Sequence, residues 1–266
     1  MIINSMNMKK ACLVLLVIFP FWVVAQTNQT DSNGKKQGIW QKNYPNGKPI
    51  YIGQFKDDKP VGLWKRFYPG GQIKAKIQYS ETSDTAFTVL YDVYRNKIAE
   101  GYYLNRQKTG TWKYFNKKRL VSEEEYQNGK KNGVSKLYYK NGKLLETTEW
   151  KDGKKNGKYQ AYFKDGNPYF QCKYKNNLRD GLCLTSFKNG RTELKAYYNA
   201  GLRDKDWSFY KQDGKLLYTL KYRKGELLNP QVKDSIDKIN NVELKENKAI
   251  KDPEKFLANP TEYLKK

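Results

Sequence analysis

The sequence has 266 residues, with 51 lysines and arginines against 27 acidic residues, and its formal net charge is +24. It contains three cysteines and no histidine, so it lacks the side chain most often used as a general base and as a metal ligand. No phosphate-binding loop, nucleophile-base pair or metal-ligand spacing is present, and we expect no catalytic residue, no metal site and no cofactor. The acidic cluster Glu123–Glu125 is interpreted as a solvated charge partner of the lysines.

The N-terminal residues 1–25 have the organisation of a secretory signal peptide. Lys9 and Lys10 precede an apolar run, and Ala25 ends a stretch that resembles a signal-peptidase site. The apolar run is shorter than the roughly 18 residues of a membrane-spanning helix. We therefore predict cleavage between Ala25 and Gln26 and export to the periplasm, the outer envelope or the medium.

After a polar lead-in at residues 26–37, a motif of about 24 residues recurs about eight times over residues 38–228. Each copy starts at an anchor glycine, with a tryptophan or another residue at +2, a turn glycine at +9 and an aromatic residue at +17. The anchor glycines are Gly38, Gly62, Gly110, Gly133, Gly157 and Gly181, and Ala86 and Lys205 hold the same register. A fixed period of 20–50 residues is typical of a repeat architecture.

Within one copy, such as Val61–Tyr79, an aromatic strand leads through a glycine turn into an alternating strand. Alternation at period 2 places apolar and polar side chains on opposite faces of a sheet. Asn-Gly and Asp-Gly turns favour β-hairpins. The sequence thus predicts an all-β fold, an elongated single-layer antiparallel sheet of tandem hairpins. Repeats three and four lose the turn glycine.

The C-terminal residues 229–266 form a charged tail of different composition. Asp252-Pro253 and Asn259-Pro260 each place a helix N-cap before a proline. The tail is predicted to form short helices that cap the array, or to hang free as a disordered segment.

The repeated pattern resembles the MORN repeat. It carries Gly-x-Trp-x-x-x-Tyr, then a turn ending in glycine, then a strand ending in Tyr-x-x-Gly, as in Gly62–Tyr68 and in Trp150–Gly153. The spacing resembles the bacterial variant of that repeat, over about residues 38–228. The resemblance implies a binding array without catalytic residues. Proteins of the variant type are often labelled antitoxin-like, which implies a toxin as one candidate partner.

Two surfaces of the predicted sheet are candidates for binding. An exposed aromatic face would mark a protein partner, although the same rings would also serve as the array's own core. Its members are Trp40, Trp64, Tyr79, Trp112, Trp150, Tyr174, Tyr198, Trp207 and Tyr222. The opposite face would bind anions, or would simply be solvated. Its members are Lys74, Lys76, Lys173, Lys195 and Lys221.

These features predict a non-catalytic protein-binding platform of the cell envelope or the secreted space. The alternative is a binder of anionic lipid or of an envelope polymer or glycan, acting through the basic face. Nucleic acid is disfavoured as a partner because the predicted destination holds little of it.

Cys172 and Cys183 are predicted to face each other. They lie on the apolar face, at nearly equal distances from the turn at Asn177-Leu178. Directly opposite Cα atoms in an antiparallel pair are about 4.5–5.5 Å apart, which permits a disulfide. The alternative is that both are small buried residues, with Cys183 in the place of a tryptophan.

Overall fold

The structure, a computed structural model, describes residues 26–237. The predicted signal peptide, with its cleavage site after Ala25, and the tail residues 238–266, with both proline-led helices, lie outside these described residues. Within the described range, no helix has the length and apolar character needed to cross a bilayer.

Nineteen strands and one helical segment make up the described chain. In order they are β1 Gln29–Thr30, β2 Lys36–Asn43, β3 Pro49–Lys56, β4 Lys59–Phe67, β5 Ile73–Tyr79, β6 Thr85–Tyr91, β7 Lys97–Leu104, β8 Gln107–Asn116, β9 Arg119–Gln127, β10 Lys130–Tyr138, β11 Leu144–Lys151, β12 Lys154–Tyr162, β13 Pro168–Lys175, β14 Leu178–Arg179, β15 Gly181–Ser186, β16 Thr192–Asn199, β17 Leu202–Tyr210, β18 Leu216–Arg223 and β19 Glu226–Leu227. The last described residues, 230–237, are helical.

All pairings are antiparallel and join neighbours in the chain. The longer strands form eight hairpins, from β2–β3 to β17–β18, and each hairpin pairs with the next. Strands β14 and β15 both pair with β13, because the chain leaves the ladder briefly at Asp180. The predicted all-β array of tandem hairpins is confirmed.

The anchor glycine lies in a β-bulge in most repeats. At β3–β4, Gln54 pairs with Val61 and Ile52 pairs with Lys65, so three residues of β4 lie opposite Gly53 alone. The bulge needs a left-handed backbone at Gly62, whose φ is 64°. Repeat eight keeps this conformation without glycine, since Lys205 has a φ of 56°.

Repeat three is the exception to this pattern. Strands β5 and β6 pair without any register shift, because Ala86 replaces the anchor glycine. Its hairpin turn also lacks glycine. There the Asp92 carboxylate accepts the backbone N–H groups of Tyr94 and Asn96, and Arg95 takes the left-handed conformation with φ 68°.

The core lies on one face of the sheet, here called the front face, which carries Trp64. Trp112 and Trp207 on this face are both 0% exposed, and the largest cluster of buried side chains runs through repeats six to eight. The opposite side is called the back face. A single sheet buries these rings because each repeat covers the side chains of its neighbours.

Tyrosine hydroxyls clip successive repeats together at the turn edge. Tyr44, Tyr68 and Tyr139 donate to the carbonyl oxygens of the residues 23 positions later, over 3.0, 2.9 and 2.6 Å. These three tyrosines occupy position +6 of their repeats. The array is therefore stabilised by contacts of a fixed offset, one repeat to the next.

Asparagines close both ends of the open sheet. At the first edge, Asn28 donates its backbone N–H to the Ile39 carbonyl over 2.8 Å, and its side-chain oxygen accepts the Gln41 N–H at 2.9 Å. At the last edge, Asn229 accepts the Lys221 N–H at 2.7 Å and donates to the Thr219 carbonyl over 2.9 Å. Each asparagine thus satisfies edge groups that another strand would otherwise pair.

Candidate functional site

The front-face tryptophans pack on residues without a long side chain. A Cβ on Gly53 would lie 2.0 Å from the Trp64 ring, and one on Gly101 would lie 2.5 Å from the Trp112 ring. The indole N–H groups of Trp64 and Trp112 donate to the next carbonyls of the strand beneath, those of Gln54 and Tyr102, over 3.0 and 2.9 Å. Each tryptophan therefore lies across the preceding repeat.

In repeats that have no tryptophan at +2, the residue 11 positions before +2 is larger than the glycine found beneath Trp64 and Trp112. Thr88 pairs with Ile77, and Tyr159 lies beside Thr148. Ser135 pairs with Glu124 in the same way. The two positions compensate in volume, which keeps the front face filled from repeat to repeat.

The two cysteines occupy this same pair of positions in repeats six and seven. The structure joins Cys172 and Cys183 in a disulfide, with Cα atoms 4.2 Å apart. Both side chains are buried.

The candidate partner face is largely filled by the array itself. Trp64, Trp112, Tyr198, Trp207 and Tyr222 are buried by rings and basic side chains of adjacent repeats. Their burial removes them from the set that would contact a partner. The remaining members, Trp40, Tyr79, Trp150 and Tyr174, are half-buried.

The front face carries a row of alternating cations and rings, here called the cation–aromatic ladder. From repeat three to repeat seven, the aromatic residue at +17 (at +16 in repeat four) pairs directly with the basic residue two positions before the next anchor. The cross-strand pairs are Tyr103 with Lys108, Tyr126 with Lys131, Trp150 with Lys155, Tyr174 with Arg179 and Tyr198 with Arg203. Tyr222 ends the ladder.

Each cation of the ladder also lies over the next aromatic ring of the ladder. The distances from the charged group to the ring centroid are 5.0 Å for Lys108 over Tyr126, 4.8 Å for Lys131 over Trp150, 5.3 Å for Lys155 over Tyr174, 5.2 Å for Arg179 over Tyr198 and 5.3 Å for Arg203 over Tyr222. These lie within the range of cation–π attraction. The ladder was not predicted from the sequence, although a basic residue precedes most anchors by two positions.

The acidic cluster is only partly solvated, contrary to its interpretation from the sequence. Glu124 lies on the front face, where it accepts the Lys131 ammonium at 2.8 Å and the Tyr126 hydroxyl at 2.5 Å. Burial and this carboxylate raise the pKa of Tyr126 above its ordinary value. Glu123 accepts the Tyr138 hydroxyl at 2.8 Å. Glu125 is exposed, as expected, and it accepts a backbone N–H.

The predicted anion-binding lysines all lie on the back face, in strands β5, β13, β16 and β18. Three of them rest against rings: Lys74 over Tyr68 at 5.5 Å, Lys76 over Tyr91 at 5.9 Å and Lys195 over Tyr210 at 5.5 Å. Lys173 and Lys221 are exposed. The back face is therefore a mixed surface of lysines and aromatic residues rather than a purely polar one.

An apolar row crosses the back face of repeats one to three. Its members, here called the back row, are Ile39, Val61, Leu63, Phe87 and Tyr102. Gln54 pairs across the strands with both Ile39 and Val61, and Gln78 pairs in the same way with Leu63 and Phe87. The rings of Phe87 and Tyr102 are 5.0 Å apart. Ile39, Leu63 and Tyr102 are 41%, 47% and 47% exposed. Sequence reasoning missed this row, although its alternation with the front-face residues was visible.

The solved structures that resemble the chain locally include three crystal structures of related complexes, and no curated protein matches it. The crystal structure of TcdB2-TccC3 is 10% identical with a TM-score of 0.22, over 68% of this chain and 14% of that chain. That of TcdB2-TccC3-TEV is 14% identical with a TM-score of 0.20, over 74% and 12%. That of TcdB2-TccC3-Cdc42 is 11% identical with a TM-score of 0.16, over 74% and 16%. The chain spans less than a fifth of each of these chains.

The family described as MORN repeat variant matches four segments, residues 36–57, 60–81, 131–152 and 155–176. They correspond to repeats one, two, five and six. The other four repeats form hairpins in the same sheet, which extends the motif along the array. The chain is a MORN repeat protein.

Proposed function

We propose that this chain is an exported, non-catalytic binding platform, and that its partner is a protein held on the back row. The observation that carries the proposal is the exposure of Ile39, Leu63 and Tyr102 in one cross-strand row. Clustered exposed apolar side chains, here interspersed with Gln54 and Gln78, are typical of protein-interaction sites. Export is supported by the signal-peptide pattern of residues 1–25.

The back row is a better docking surface than the aromatic front face. The front-face tryptophans already contact the preceding repeat, and a partner could reach them only by displacing the array's own core. The back row needs no such rearrangement. Its rings and aliphatic groups are accessible on a surface formed by regular strands.

The charges around the back row favour an acidic partner. Lys65 and Lys76 lie on the same face, on the strands that carry Leu63 and Gln78, and they pair across the sheet. A partner with an apolar centre and a carboxylate rim would complement this surface, and its rim would steer association. An antitoxin-like role is one form of this function, in which the bound protein is a toxin.

A non-catalytic role agrees with the positions of the acidic side chains. Glu123 and Glu124 are held by tyrosine hydroxyls, and Glu124 also by Lys131. In the part of the chain that the structure describes, residues 26–237, no group of three or more carboxylates or cysteines has the arrangement of a metal site.

Affinity capture with the chain beginning at Gln26 tests the proposal. The bait is compared with the double variant Leu63→Asp/Tyr102→Asp, and with Leu202→Asp/Leu217→Asp as a matched control that places the same charges on exposed leucines elsewhere. We expect one acidic envelope protein to bind the wild-type chain and the control, and to remain bound at high salt, because burial of apolar area is not screened. The back-row variant should not bind it.

Two outcomes would contradict this function. Equal retention of the captured protein by both variants would show that the back row is not the site. Release of the protein by salt alone, with no effect of the back-row variant, would favour a charge-driven ligand such as anionic lipid. Circular dichroism of each variant confirms that the sheet is intact.

A further inference from the structure

We propose that the cation–aromatic ladder binds a linear acidic polysaccharide along the front face of repeats four to six, where the ladder rings are half-buried. This site lies on the other face of the sheet from the back row and goes beyond the function proposed above. It requires no protein partner.

Two of the ladder cations, Lys108 and Lys155, keep hydrogen-bond donors for a ligand. The Lys155 ammonium makes ring contacts alone, with Trp150, Tyr159 and Tyr174, and its three N–H donors have no protein acceptor among residues 26–237. Lys108 donates once, to the Tyr114 hydroxyl over 2.7 Å. Each of these two lysines is half-buried, and the packing of its stem against the neighbouring rings holds the side chain in place.

Few carboxylates compete for these cations on the same face. Glu124 is paired with Lys131, and Glu146 accepts hydroxyl groups of Thr148 and Tyr159 over 2.8 and 3.0 Å. Strands β8 to β18 otherwise direct aliphatic, aromatic, hydroxyl and basic side chains to the front face, such as Ser135 and Thr148 among the hydroxyl groups. The ladder therefore keeps its positive charge at Lys108 and Lys155, while the charge of Lys131 is paired with Glu124.

The spacing of the cations points to a ligand of low charge density. The ladder has one cation per hairpin, and two strands span about 10 Å, so five cations extend over roughly 40 Å. A nucleic acid strand in a duplex carries one phosphate per 3.4 Å, which is far denser than the ladder. A polysaccharide with one carboxylate on every second sugar has a sparser charge that suits this row.

The rings between the cations suit sugars. Tyr126, Trp150 and Tyr174 are half-buried, so each offers part of its ring surface between two cations. The negative face of an aromatic ring attracts polarised C–H groups such as those on one side of a sugar ring. The cations would then bind the carboxylates of the polysaccharide, and the aromatic rings would bind the sugars between those carboxylates. A bilayer would meet the more exposed lysines of the back face first.

Binding of hyaluronan oligosaccharides, which carry one carboxylate per disaccharide, tests the proposal by calorimetry with the full chain. The front variant is Lys108→Gln/Lys155→Gln, and the matched control is Lys158→Gln/Lys173→Gln, which removes two exposed neighbouring lysines from the back face. We expect the front variant to lower the affinity by about tenfold and to reduce the salt slope by about one for each lost cation. The control should change the affinity by less than about twofold.

The proposal is overturned if both variants lose affinity equally, which would indicate net charge alone, or if neither loses any. It is also overturned if single-stranded oligothymidine or phosphatidylglycerol vesicles bind more tightly with the same dependence on the front lysines. Leu63→Asp/Tyr102→Asp should bind hyaluronan normally, and this result separates the ladder from the protein site. Unchanged melting temperatures exclude unfolding as the cause.

Discussion

The indole of Trp64 occupies the space that a side chain on Gly53 would fill. A Cβ on Gly53 would lie 2.0 Å from Cδ2 of the ring, while the indole N–H donates to the neighbouring carbonyl of Gln54 over 3.0 Å. The hydrogen bond fixes the ring in this place, so the ring cannot move aside at low cost. The side chain at +2 of each repeat therefore determines the size of the residue 11 positions before it.

The replacement Gly53→Ala should destabilise the protein by about 1–3 kcal/mol, because a methyl group would overpack the contact with Trp64. Urea unfolding followed by tryptophan fluorescence measures the change. Gly70→Ala is the matched control, since a Cβ there meets only the flexible amide of Gln72. An equal loss of stability in both variants would mean that the contact is not the cause.

The paired replacement provides a second check on the same contact. Trp64→Thr alone should cost about 3–5 kcal/mol, as expected for loss of a buried aromatic ring. Adding Gly53→Ile recreates the natural combination of Thr88 with Ile77 and should recover part of that loss. Additive effects of the two replacements would argue against volume compensation.

The replacement Lys205→Gly should stabilise repeat eight by about 1 kcal/mol. A lysine at φ 56° strains the left-handed backbone, and glycine removes this strain. The gain is offset in part by loss of the Lys205 contact with Tyr197, whose ring centroid is 5.5 Å away. Lys76→Gly, in a strand position on the back face that pairs with Lys65 and Val89, should instead destabilise by about 0.5–1 kcal/mol. Chemical denaturation compares the two, and a loss of stability in both would contradict the strain at Lys205.

Counting of free thiols on the unfolded, non-reduced protein checks the disulfide. The chain beginning at Gln26 should show none, because Cys172 and Cys183 are its only cysteines. Reduction should lower the free energy of unfolding by about 2–3 kcal/mol, as expected for the short loop that the bond closes. Two reactive thiols per chain would show that the residues only pack against each other.

Stability should fall at alkaline pH as buried tyrosines ionise. Burial, together with the Glu123 carboxylate, raises the pKa of Tyr138 to about 12, and burial with the charge of Asp165 raises that of Tyr139 to about 12. Tyrosines in an unfolded chain ionise near pH 10. Their contribution to stability is therefore complete below pH 10 and is lost as the pH rises towards 12.

Unfolding free energies measured from pH 8 to pH 12, with tyrosinate absorbance as the second probe, follow this loss. The variant Tyr138→Phe cannot ionise at that position, so its stability should fall less steeply above pH 10. An identical pH dependence of the variant and the wild-type protein would contradict the assignment to Tyr138.

Removal of the two terminal asparagine side chains should cause end-to-end association. Asn28→Gly keeps the left-handed backbone at φ 62° and Asn229→Ala removes the other cap, which leaves edge N–H and C=O groups for a second copy. Sedimentation at rising protein concentration should show oligomers for the double variant. Asn46→Ala, at a hairpin turn, is the control and should sediment like the wild-type protein. A monomeric double variant would show that other features protect the edges.

Much of the fold could be predicted because its signals are local. The period of the glycines and the alternation in strands such as β5 specify hairpins and their faces. The same alternation placed Cys172 and Cys183 on one face. Position within a repeat was thus available from the sequence alone.

The candidate sites were less accessible to prediction because they depend on contacts between repeats. Lys155 looks like any solvated lysine until its cross-strand neighbour is known to be Trp150. The bulge at Gly62 adds residues opposite Gly53, so simple alternation along the strand does not predict which residue lies over Gly53. Burial of Trp112 follows from side chains that belong to adjacent hairpins. No single repeat contains this information.

The tyrosine clips have a consequence for how such a chain changes length over evolution. Tyr68 reaches the carbonyl of Tyr91 at the same 23-residue offset that joins Tyr44 to Phe67, so repeats one and two meet their successors through equivalent atoms. Unequal recombination that inserts or deletes one whole unit would leave those joints intact, whereas a partial unit would misalign them. The number of hairpins sets the length of the molecule, and duplication of whole repeats can change that length without the redesign of a core.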